Sequence, residues 1–208
     1  MSSRKFISVT TFFVVTVFLL SLSSCFPMST ADKMVEEPSE TSVEFVTTEG
    51  AFTVGLFPNN APETCEKFLY WCEGVEIPNS DYSESLYVGL NFYNIAPDKF
   101  IQTGDIFNQG RGIQSFEYPY ERTYRNATEG CLFMAKNEQQ NTNSSIFAVL
   151  LGDNPKITDR YTVFGIVTDG LDVCHKISNL PTVFDEQLGI NTPIKDVKIV
   201  RVTVKRED

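Results

Sequence analysis

Phe133-Met134-Ala135-Lys136-Asn137 and Asn141-Thr142-Asn143-Ser144-Ser145-Ile146-Phe147 stand three residues apart, and their reading decides the fold. The first lies on a β-rich run over 130–135 and the second leads into another over 146–151, with polar residues between them. Outward from this pair, further β-rich runs lie at 90–95, 99–106 and 162–167, and 195–204 alternates as a last strand. Toward the amino terminus, Val43, Phe45 and Thr47 alternate with Glu44 and Val46. Glu49-Gly50 then turns into 51–57, a hairpin that Pro58 ends. Ala61-Pro62-Glu63-Thr64 sets proline and an acid in the first turn of a helix, along which Phe68, Leu69 and Cys72 recur at helical spacing. Residues 170–177 form a second helical pattern, and the polar stretch 74–87 reads as an inserted loop. Many short strands with two helices predict a mainly β protein, an antiparallel barrel closed or nearly so.

The chain has 208 residues, enough for one domain with extensions, and 17 phenylalanines point to a core of flat rings. Its net charge is −10, a field that repels phosphate backbones and argues against nucleic acid as a partner. An acidic surface is also an ordinary route to solubility.

Arg4 and Lys5 precede an apolar run over 6–22 that closes on Leu22-Ser23-Ser24-Cys25. That ending resembles the bacterial lipobox, which implies a signal peptide over 1–24, cleavage before Cys25 and lipidation of its thiol. Two or more acyl chains anchor stably where one does not. The alternatives are an uncleaved membrane span or an ordinary secretory signal; the placement of the cysteine favours the lipid anchor. Residues 25–42 then form a tether rich in Ser, Thr, Pro and Glu, and 43–208 form the domain. The reading places the protein in a bacterial cell envelope, held to a membrane after export. Cys65, Cys72, Cys131 and Cys174 show no metal-ligand spacing and read as small buried hydrophobes, although export leaves a disulfide open.

Five blocks, in order, resemble the cyclophilin family of peptidyl-prolyl cis-trans isomerases. They are Glu49-Gly50 with Ala61-Pro62-Glu63-Thr64 and Phe68; Phe92-Tyr93-Asn94-Ile95-Ala96-Pro97; Phe100-Ile101-Gln102-Thr103-Gly104-Asp105; the opening pair; and Tyr161-Thr162-Val163-Phe164-Gly165 with Gly170-Leu171-Asp172-Val173. The resemblance implies a closed eight-stranded antiparallel β-barrel capped by two α-helices. It also implies isomerisation of X-Pro bonds without a cofactor or metal, acting on proline-containing peptides or exported proteins.

Carried over residue by residue, the resemblance puts Asn94 where the family has its catalytic arginine and retains Gln102 as the amide that meets the substrate backbone. Phe100, Ala135, Ala148, Ile157 and Tyr161 fall at substrate-binding positions, with Ala148 replacing a pocket phenylalanine and Tyr161 a histidine. Tyr93 replaces the histidine before the arginine, Ile146 a glutamine, and Lys99 an aromatic. An amide in place of a guanidinium donates hydrogen bonds but carries no charge. Arg111, Arg122, Arg125 and Arg160 are candidates to restore the cation, and His175, the only histidine, is expected away from the pocket. Two functions are carried forward: a prolyl isomerase of weakened activity that helps exported proteins fold, and a membrane-tethered cyclophilin-like domain that binds peptides without catalysis.

Overall fold

The computed structural model describes residues 37–76, 83–106, 117–137 and 141–206. Cys25, Arg111 and most of the expected tether lie outside them. In chain order the elements are β1 (Ser42–Thr47), β2 (Gly50–Leu56), α1 (Pro62–Glu73), β3 (Val75–Glu76), β4 (Ser83–Glu84), β5 (Asn94–Ala96), β6 (Phe100–Thr103), β7 (Tyr118–Pro119) and β8 (Cys131–Asn137). They continue with β9 (Thr142–Leu150), α2 (Pro155–Arg160), β10 (Val163–Asp169), α3 (Leu171–Ser178), β11 (Thr182–Asp185), β12 (Ile190–Pro193) and β13 (Ile199–Lys205).

The main sheet runs β13-β1-β2-β10-β8-β9-β6-β5, with β7 paired to β9, and its neighbours are antiparallel. It curls as a half-barrel and stays open, which corrects the expected closed barrel of eight strands. No ladder joins the end strands β5 and β13. The residues just before them are linked instead by the bridge Asn91↔Lys198 and by bonds such as Phe92 N–H to Val197 C=O, 2.9 Å. There are also three described helices rather than two. The extra one, α2, is six residues long, too short to give a helical period, and is read from its ends: Asn154 caps Lys156 N–H and Pro155 opens the first turn.

Alternation along β1, β2 and β9 sends large rings to one interior. Phe45 stacks on Phe52 at 5.3 Å, Phe68 meets Phe164 edge-on at 4.9 Å, and Tyr87 meets Phe147 at 5.2 Å. The Tyr87 hydroxyl is fully buried and donates to Ser145 C=O at 3.1 Å, so the core carries that polar group satisfied. Helix α1 lies over this core through Phe68, Trp71 and Cys72. Its first amides, at Glu63 and Thr64, donate to the Glu121 carboxylate at 3.3 and 2.9 Å. A carboxylate at a helix N-terminus meets both the unpaired amides and the dipole, and here it ties the segment before β8 to the helix. The end of the expected tether is attached too: Ser39 N–H donates to Leu56 C=O at 2.8 Å. Cys65, Cys72, Cys131 and Cys174 are buried, with no disulfide among them.

Candidate functional site

The β5–β6 ladder pairs Asn94 directly with Gln102, which puts both side chains on one face. Asn94 Nδ2 donates to Gln102 Oε1 at 2.9 Å, and Gln102 Nε2 donates to Tyr93 Oη at 2.8 Å. Burial pushes the Tyr93 phenol well above its ordinary value, the negative charge of Asp105 adds to this, and the bond from Gln102 opposes it. The phenol is therefore neutral throughout the physiological range. The three side chains form an uncharged chain: amide to amide to phenol.

Next to this chain lies a cleft of about 620 Å³, a size suited to a short peptide segment. The ladder places its floor: Phe100 opposes Leu150, Gln102 opposes Ala148, and Ala148 opposes Phe133 across β9. The far wall is α2 and the residue that ends it. Thr158 Oγ1 accepts from Ala127 N–H at 2.9 Å and Asn154 N–H donates to Ala127 C=O at 3.2 Å, which pins the helix and leaves Ile157 and Tyr161 facing the cleft.

Of the residues expected to bind substrate, Phe100, Gln102, Ala135, Ile157 and Tyr161 line this cleft together. Ala148 does not; it is 1% exposed and lies beneath the floor, packed with Phe133, Leu150 and Val163. Asn94 is not among the lining residues either, and reaches the cleft through Gln102. Ile146 is buried in a strand and supplies no hydrogen bond from its side chain.

Sequence reasoning missed Phe133. Its ring lies 5.4 Å from that of Tyr161 and lines the cleft, so the bulk absent at Ala148 is supplied by the residue opposite it. The signal was the strand register, which pairs 133 with 148 and cannot be read before the fold is known. Lys136, Asp98 and Asp153 were also not foreseen as lining, and Lys99, which stands where the resemblance has an aromatic, lines the cleft too. His175 is nearer than expected: its Nδ1 is 3.6 Å from Asp98, on the rim, and its Nε2 is 2.9 Å from Glu129. Of the arginines expected as candidates to restore the cation, Arg122 stacks on Tyr124, Arg125 on Phe57 and Arg160 on Tyr161. The side chain beside Asn94 is the neutral amide of Gln102. Among the described residues no group of three or more His, Cys, Asp or Glu side chains could hold a metal ion, and no helix is long and apolar enough to cross a membrane.

Residues 42–204 match the family model described as cyclophilin type peptidyl-prolyl cis-trans isomerase/CLD. The chain is 33% identical over 172 residues to the peptidyl-prolyl cis-trans isomerase-like 1 of Aspergillus oryzae, covering 80% of this chain and 97% of that one. It is 32% identical over 168 residues to the peptidyl-prolyl cis-trans isomerase-like 3 of Homo sapiens, covering 78% and 95%. A crystal structure of a cyclophilin type peptidyl-prolyl cis-trans isomerase of Cryptosporidium parvum superposes with a TM-score of 0.65 at 24% identity, covering 81% and 99%. The same protein, solved in the presence of the dipeptide Ala-Pro, superposes equally, with a TM-score of 0.65.

Proposed function

Because the chain belongs to the cyclophilin type peptidyl-prolyl cis-trans isomerase family, we propose that its cleft binds proline-containing segments and isomerises their X-Pro bonds at a reduced rate. The uncatalysed barrier is high because the amide carries partial double-bond character. A catalyst lowers it by favouring the twisted amide, in which the proline nitrogen regains its lone pair. Apolar walls at Phe100, Phe133 and Ile157 suit the pyrrolidine ring, while Gln102 is set to meet the peptide backbone. The observation that carries the reading is the Asn94–Gln102 pair at the side of this apolar cleft, an amide donor held at 2.9 Å where the family places its cation. A neutral donor stabilises developing electron density less than a guanidinium, and losing a transition-state charge of this kind costs on the order of 10²–10³ in rate.

A second reading, a peptide-binding domain without catalysis, is favoured by one detail. The Gln102 amide is engaged at both ends, by Asn94 and by Tyr93, so the groups that would polarise a substrate satisfy one another. A protease-coupled isomerisation assay on the full chain separates the two. Acceleration above background that rises in proportion to enzyme concentration supports the isomerase. A folded but inactive chain that still binds an Ala-Pro peptide supports the binder.

The proposal extends to the cellular setting: Cys25 carries the lipid anchor, and the domain serves exported proteins at a membrane face. Support for this is the leader and Leu22-Ser23-Ser24-Cys25 alone, since the relatives named above are eukaryotic. Metabolic labelling with an alkyne fatty acid tests it. Label lost in Cys25→Ser and retained in Cys65→Ser is expected, and an unlabelled parent chain refutes the anchor.

A further inference from the structure

A second cavity, of about 260 Å³, lies between the β11–β12 hairpin and the segment that leads into β5. The hairpin pairs only with itself, so packing of β12 against β5, rather than a ladder, holds it over the sheet. The walls are apolar at Phe92, Tyr93, Leu188, Ile190 and Pro193. Tyr93 is shared with the site already described. It lines this pocket, while its hydroxyl accepts from Gln102 Nε2 at 2.8 Å, and Gln102 lines the cleft. The pocket and the cleft are thus joined through a single hydrogen-bonded pair of side chains.

The polar part of the lining is rich in acceptors. Asp185 and Asp196 line the pocket, and among the described residues no lysine or arginine does. Asp185 is half-buried, and its Oδ1 accepts from the Gln187 and Leu188 amides at 2.9 and 3.0 Å. Those donors are neutral, so they fix the carboxylate without cancelling its charge. Asp196 pairs with Lys198 at 3.5 Å, both exposed, and the neighbouring Lys195 is drawn to Glu49 at 3.3 Å. An exposed pair at that distance is worth little and yields to a better placed cation. Asn91, also lining the pocket, holds its Oδ1 buried with no hydrogen-bond partner. A buried acceptor left so costs free energy that an N–H donor recovers.

Resting on the reading that the cleft takes proline-containing segments, we propose that this pocket is a further subsite for the same segment and takes a basic side chain from it. The chemistry is that of an alkyl-linked cation, as arginine and lysine carry. The stem lies against the apolar walls and the head meets the aspartates, the arrangement in which long basic side chains are ordinarily buried. A guanidinium, with five donors in a planar fork, suits acceptors set apart from one another better than an ammonium does.

The test uses the full chain and labelled peptides with one Ala-Pro core. Arginine, or its uncharged isostere citrulline, stands at successive positions on either side of the proline, and fluorescence anisotropy reads binding. On one side, and at a restricted spacing, the arginine peptide is expected to bind about fivefold tighter than its citrulline partner, the scale of a partly exposed ion pair. In Asp185→Asn/Asp196→Asn, which keeps an oxygen for the hairpin amides, that advantage disappears while the citrulline peptides bind as before, which shows the variant folded. In Glu40→Gln/Glu66→Gln, which removes the same charge at exposed positions outside the pocket, the advantage persists. An arginine advantage equal at every position, or unchanged in the aspartate variant, overturns the inference and leaves the proposed function standing; the net charge of −10 would then be what attracts the cation. A free cation is the other source of the same chemistry, and n-butylguanidinium is its probe. If it shifts the amide resonances of Leu188, Ile190 and Thr192 while no peptide shows an arginine advantage, the pocket takes free cations and the subsite is overturned. Failure of the arginine and citrulline peptides alike to bind overturns both readings.

Discussion

Strand β9 has two faces that solve different problems. Phe147 and Val149, with Leu151 just past the strand, enter the ring core with Phe45, Phe68 and Tyr87, where each position is filled by bulk and each ring touches several others. Ala148 and Leu150, one residue out of phase, lie under the cleft, where the rings of Phe133 and Tyr161 meet at 5.4 Å. The first face holds the sheet in its curl. The second leaves space: a small residue at 148 is compensated by a large one at 133, so the floor stays solid while the cavity above it stays open. The difference teaches that packing which stabilises is spread over many mutual contacts, while packing which shapes a site depends on single pairs.

The largest expected effect breaks the core face. Phe147→Ala removes a fully buried ring in contact with three others and should cost about 3–5 kcal/mol, read as a lower midpoint in urea unfolding. If it costs less than about 1 kcal/mol, the core face is no more dependent on its rings than the cleft face.

Asn94→Arg comes next and acts on chemistry alone. It places a guanidinium beside Gln102 and should raise kcat/KM in the protease-coupled assay on the order of 10²-fold with little change in stability. No gain would show that the Gln102–Tyr93 pair, rather than the missing charge, limits the site.

Ala148→Phe tests the compensating pair. With Phe133 opposite, the new ring overpacks the floor and should cost about 1–3 kcal/mol. Adding Phe133→Ala should restore much of that, a coupling visible in a double-mutant cycle of unfolding free energies. Additive costs would mean that the two positions do not share one volume.

The smallest effect lies at the β1–β2 turn, outside both faces. The hydrogen bond from Lys176, and then that from Lys195, hold the Glu49 carboxyl below the usual carboxylate range. A lowered folded-state value means that the stabilisation is complete above the unfolded value of about 4.3 and is lost as pH falls through the folded one. Glu49→Gln should therefore cost less than about 1 kcal/mol at pH 7, since both lysines are exposed, and less again near pH 3. An equal cost at both pH values would show that packing, not charge, is what Glu49 contributes.

Much of the architecture was legible. The hairpin at 43–57 is β1 and β2, the proline-led helix is α1, and the 170–177 pattern is α3 shifted by one residue. The ordered blocks brought Phe100, Gln102, Ala135, Ile157 and Tyr161 to one cleft. What was not legible has a common cause. β11 and β12 pair only with each other, and half of β12 is polar, so their alternation is weak. Closure of the sheet depends on whether its two end strands meet, which no local pattern encodes. Ala148 was assigned to the pocket lining because its position implied it, yet a methyl group does not reach past the floor that a ring would penetrate.

The sequence by itself determined the segments, their faces and the uncharged character of the position at Asn94, because periodicity and residue chemistry are local properties. Only the tertiary structure decided that the sheet stays open and that Phe133 stands in for the bulk missing at 148. These depend on register and on contacts between residues far apart in the chain, and a one-residue change of register would send each of those side chains to the opposite face.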